Sequence, residues 1–103
     1  MTVGTWLQDR TPAPPPRLAR RIQDVLGERI EQEVETAPEL CVEAAETLLR
    51  DLLSRPTAGR ESALDLLVVD ALVTYAFEAA ATEPSTLEAR AARAMTRLSL
   101  VAQ

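Results

Sequence analysis

The chain has 103 residues, a length suited to one domain, with 47% hydrophobic residues and a formal net charge of −5. That hydrophobic share excludes wholesale disorder, and the acidic balance argues against the broad basic footprint that nucleic-acid phosphates require. The eleven cations are all Arg and His is absent, which removes the usual near-neutral acid/base group, histidine triads and the Glu-x-x-His motif of di-iron bundles.

Ala, Leu, Glu and Arg dominate and only three Gly occur, so the composition leans helical before any pattern is considered. Cys41 is the single cysteine, flanked by Leu40 and Val42, and reads as an inert buried thiol. No apolar stretch approaches the roughly 20 residues that span a bilayer. The opening Met1-Thr2-Val3-Gly4 lacks the charged-then-apolar start of a signal peptide, and a cytoplasmic location is the resulting expectation.

Residues 1–16 read as an N-terminal arm and proline-rich linker, residues 17–103 as a helical bundle domain. Thr5-Trp6-Leu7-Gln8 fits a capping box, so a short helix could begin at Thr5. Trp6 and Leu7 are an apolar pair expected to dock on the body of the domain or on a partner. Pro12-Ala13-Pro14-Pro15-Pro16-Arg17 is a stiff spacer that also fits a Pro-x-x-Pro-x-Arg ligand pattern. Its last proline suits the first turn of a helix, where a missing N–H costs nothing.

From Pro16, Leu18, Ile22, Val25, Leu26, Ile30 and Val34 recur at helical spacing, which favours one helix to about Glu35, with a kink or break at Gly27 as the alternative. Thr36-Ala37-Pro38-Glu39 restarts the chain with Thr36 as the expected cap. The next helix presents Leu40, Ala44, Ala45, Leu48, Leu49, Leu52 and Leu53 and stops at Pro56. The following helix, about Arg60 to Ala81, is apolar almost all round and must be covered on most sides. Asp65, Asp70 and Glu78 exclude it as a membrane span. Ser85-Thr86-Leu87-Glu88 is a further capping box, and the last helix, to about Ala102, carries Leu87, Ala91, Ala94, Met95, Leu98 and Val101 on one face. The fold class is therefore all-α: an antiparallel bundle of about four main helices with a short N-terminal arm.

Asp70, Thr74 and Glu78 share one stripe of the third main helix. Across a hairpin turning at residues 82–85, Glu78 falls opposite Arg90, Thr74 opposite Arg93, and Asp70 opposite Arg97. A polar seam between two helices explains both sets. The alternative is a small enzyme or ligand-binding protein using Asp70 and Glu78, with Tyr75 nearby, in a helical cleft. Glu28, Glu31, Glu33, Glu35, Glu39, Glu43 and Glu46 read as a solvated acidic face, since no loop of alternating oxygen ligands around a central Gly accompanies them. Arg10, Arg17, Arg20 and Arg21 concentrate positive charge without interleaved aromatics, so a nucleic-acid accessory role is the weakest reading. No phosphate loop, nucleophile elbow, metal motif or cofactor motif is present. The expectation is an interaction or assembly protein: a homodimer, small subunit or adaptor with a protein partner.

Overall fold

The computed structural model describes residues 1–55, 59–81 and 84–102, with the side chains of 84–90 left aside. Five α-helices follow in order: α1 (Val3–Gln8), α2 (Pro16–Leu26), α3 (Ala37–Ser54), α4 (Arg60–Ala80) and α5 (Pro84–Ala102). Two 3-10 turns, Gly27–Glu31 and Val34–Thr36, join α2 to α3. The all-α expectation holds, with no strand among the described residues.

The long α3–α4 hairpin is the centre of the molecule. Leu40, Cys41, Ala44, Ala45 and Leu48 on α3 face Val68, Leu72, Ala76 and Ala79 on α4, and all are buried. The many alanines let the two backbones approach closely. On one flank α2 inserts Ile22 and Leu26; on the other α5 inserts Ala94, with Leu98 partly covered.

α2 ends at Gly27, and the expectation of one helix to Glu35 is corrected here. Gly27 adopts φ 57°, a conformation that costs glycine little and other residues much. The turn frees the last carbonyls of α2, and the Arg29 guanidinium caps them, donating to Val25 O at 2.9 Å and Leu26 O at 3.2 Å. The redirected chain then receives the N-terminus. Val3 N donates to Gln32 O at 2.8 Å and Val34 N to Met1 O at 2.9 Å, a short antiparallel bridge between the arm and the 3-10 segment. A straight helix would have spent those backbone groups internally.

Two expected caps are also corrected. α1 is capped by Thr2, whose hydroxyl accepts from Thr5 N at 3.2 Å, so the helix starts before Thr5. Thr36 has near-helical backbone angles, and its hydroxyl donates backward to Glu33 O at 2.7 Å, leaving Pro38 in the first turn to start α3. The third box falls at the start of α5, which begins at Pro84, and its side chains lie outside the described residues. Pro16 and Arg17 are taken up in α2, so the Pro-x-x-Pro-x-Arg pattern is not a continuous polyproline segment.

Candidate functional site

Trp6 is 7% exposed and meets Tyr75 of α4 edge to face, with ring centroids 6.2 Å apart. Arg10 folds back over the indole, its guanidinium carbon 4.0 Å from the ring centroid, while its Nε donates to Trp6 O at 3.2 Å. The same guanidinium reaches Glu78 at 3.8 Å. Leu7, beside Trp6, packs partly buried against the core. The arm is thus fixed to α4 by an aromatic contact, a cation over its face and a long ion pair. Burial, with the nearby Glu78 charge second, raises the Tyr75 phenol above its ordinary range.

Asp70, Thr74 and Glu78 do share one stripe, but it is an outward one, and all three are exposed. The Thr74 hydroxyl donates to Asp70 O at 3.0 Å, a contact within the helix. Arg97 finds its polar partners on α3: its Nε donates to Glu46 at 2.6 Å, and Glu43 lies 3.7 Å away. The Asp70–Arg97 pairing is therefore corrected. α5 rests against α3 as well as α4, and the acidic side of α3 offers its arginine two carboxylates where the apolar α4 offers one. That hydrogen bond holds the Glu46 carboxyl below its usual range, against the opposing effect of burial. Arg93 lies on an exposed part of α5. The side chain of Arg90, and with it the Glu78–Arg90 pairing, lies outside the described residues.

The interior ion pair of the molecule involves residues that periodicity did not single out. Asp65 is buried on α4, and Arg21 of α2 meets it with two bonds, Nε to Oδ1 at 2.8 Å and a terminal nitrogen to Oδ2 at 3.2 Å. Arg55, just past α3, adds a third contact at 3.1 Å and also pairs with Asp51. The Arg21 bond is the main cause that lowers the Asp65 carboxyl below its ordinary range, ahead of the desolvation that opposes it. A signal was present: Asp65 precedes Val68 and Leu72 by three and seven residues, on the stripe that faces the core.

Among the described residues, two cavities open on the surface near these groups. One, of about 220 Å³, lies between the arm and α2, lined by Leu7, Gln8, Pro14, Ile22, Gln23 and Tyr75 among others. A smaller one, of about 90 Å³, lies where α5 meets α3 and α4, with Val42, Phe77, Ala94, Arg93 and Arg97 in its wall. Neither is lined by Asp70, Thr74 or Glu78. Among the described residues no buried side-chain nitrogen or oxygen lacks a hydrogen-bond partner, and no group of His, Cys, Asp or Glu is arranged to hold a metal ion. The N-terminal arginines are dispersed: Arg10 and Arg21 turn inward to partners, while Arg17 and Arg20 stay exposed. No helix of the described residues is long and apolar enough to cross a membrane.

Several large apolar side chains also remain exposed. Leu66 and Leu67, adjacent at the middle of α4, are 53% and 55% exposed, and Ala63 is exposed beside them. Leu53 of α3 and Met95 and Leu100 of α5 are exposed to a similar degree. Set beside protein-family models, curated proteins and solved structures, the chain matches none.

Proposed function

We propose that the chain is a small helical interaction protein that associates with itself, using the outer face of α4 as its contact surface. The observation that carries this reading is the wet pair Leu66 and Leu67 in mid-helix. Leaving both in water forgoes the ~25 cal/mol per Å² that apolar burial returns, and a second copy would recover it. Among the described residues every buried side-chain nitrogen and oxygen has a hydrogen-bond partner, so none is left aimed at a ligand. Two-fold homodimers are the commonest solution to a surplus apolar face. We further assign the protein to the cytoplasm, a reading supported by a lone, buried Cys41 with no disulfide partner.

The test is the mass in solution, by light scattering across a micromolar concentration series. Twice the 11.2 kDa chain mass is expected, falling to the monomer in Leu67→Arg with helix content unchanged. A wild-type monomer at every concentration would overturn the reading.

The larger cavity favours a second reading, a binder of a small, neutral, mostly apolar molecule held between the arm and α2. Its walls combine Leu7, Ile22 and Pro14 with the amides of Gln8 and Gln23 and the edge of Tyr75. Quenching or shift of Trp6 emission on titration with an aromatic probe such as an anilinonaphthalene dye tests it. An unmoved spectrum would count against this second reading.

A further inference from the structure

The outer stripe of α4 is self-complementary in charge. Arg60 opens the helix, is exposed, and forms no ion pair with a described residue. Glu78 stands eighteen residues on, 47% exposed and held only by a long 3.8 Å ion pair to Arg10 of the arm, so its carboxylate can meet a second cation. Eighteen residues at 3.6 per turn are five whole turns, so the two charges lie on one line along the helix. Between them Ala63, Leu67, Asp70 and Thr74 are exposed in turn, at three- and four-residue steps that keep them on one face of the helix. The midpoint of the line lies at the level of Val69, which itself points to the other side of the helix.

We infer that the partner on this face is a second copy of the chain, with its α4 antiparallel to the first about a twofold axis at the level of Val69. The inference rests on the self-association proposed above and adds the register to it. In that arrangement each Arg60 stands opposite Glu78 of the second copy, at both ends of the seam. Leu67 stands level with Ala71 of the second copy, a large residue against a small one. A parallel pairing would set Arg60 against Arg60 and Glu78 against Glu78. The antiparallel one joins opposite charges twice, and like charges placed face to face are how wrong pairings are rejected. Asp70 is the exception. One residue from the axis, it is brought near its own copy on the same side of the seam, which weakens the dimer.

Charge reversal tests this directly. Dimer dissociation is measured by sedimentation at low ionic strength, with circular dichroism confirming that each variant keeps its helix content. Arg60→Glu breaks no contact within the described chain and acts at both ends of a twofold seam, so a weakening of about tenfold is expected. Glu78→Arg should weaken association similarly. The double variant Arg60→Glu/Glu78→Arg should return to within a few-fold of wild type, and Asp70→Asn should bind more tightly than wild type. A wild-type dimer indifferent to Arg60→Glu, or a double variant no better than the two singles, would overturn the register while leaving self-association intact. A wild-type monomer would overturn both.

Discussion

Arg21 closes a two-bonded fork on Asp65 across 44 residues of sequence, joining α2 to the buried face of α4. Arg55 completes the arrangement from the end of α3, so one carboxylate ties three helices together. The side chain of Asp65 is 4% exposed, whereas Arg21 and Arg55 are 35% and 30% exposed, so the cations keep part of their hydration while the acid gives up nearly all of its own. Arg21→Ala should therefore destabilise the protein by about 2–3 kcal/mol, below the ~3–5 kcal/mol of a fully buried pair because water still screens the guanidinium. In urea unfolding, Arg21→Ala and Asp65→Ala should be clearly non-additive. Additive losses would mean that the fork contributes only packing.

The same carboxylate predicts how stability responds to acid. Its affinity for a proton is lower in the folded protein than in the unfolded chain, because protonation breaks the bond to Arg21. The stabilisation is then complete above the unfolded value, about 3.9, and is lost as pH falls through the lower folded value. Glu46, lowered by Arg97, acts in the same direction. Wild type should exceed Asp65→Asn in urea midpoint at pH 7, and the gap should hold down to about pH 5 and narrow below it toward pH 3. A gap that stays constant over that range would show that ionisation of Asp65 is not what stabilises the fold.

Gly27→Ala separates the observed break from a continuous helix by the sign of its effect. In a continuous helix alanine would stabilise by about 1 kcal/mol. At φ 57° with ψ −134° the substitution should instead cost ~1–3 kcal/mol, even though no atom lies within 4 Å of the added methyl group. Thermal unfolding decides between them, since the two outcomes move the midpoint in opposite directions.

Arg97 offers a test of which helix α5 is tied to. Arg97→Ala should couple to Glu46→Ala by about 0.5–1 kcal/mol, the partial exposure of the arginine keeping the value small. It should be additive with Asp70→Ala, whose carboxylate faces water on the far side of α4. Coupling to Asp70 in place of Glu46 would restore the α4–α5 seam.

Local chemistry made much of the fold legible. The spacing of Leu18, Ile22, Val25 and Leu26, and of Leu40, Ala44, Ala45 and Leu48, identifies the core faces of α2 and α3, and Pro16 and Pro38 mark where those helices start. These signals depend on neighbours within one or two turns, which is why they survive without a fold. The surplus apolar character of α4 is legible for the same reason, and Leu66 and Leu67 remain in water in the folded chain.

Pairing was not legible, because it depends on where helices cross. The acids at Asp70 and Glu78 and the arginines at Arg90 and Arg97 nearly match in spacing, but α5 leans on α3 too, and its Arg97 reaches the carboxylates of Glu46 and Glu43. Asp65, unremarkable in sequence beyond barring a membrane span, becomes the anchor once α2 brings Arg21 beside it. Gly27 is a tolerable helix residue by propensity alone; it becomes a break because the N-terminal arm binds backbone groups that only a turned chain presents. The sequence by itself determined the helices and their apolar faces, which follow from bonds and burial along one segment. Tertiary structure alone decided the partners of the charges and the path of the arm, because a side chain bonds to whatever the crossing of helices leaves within its reach.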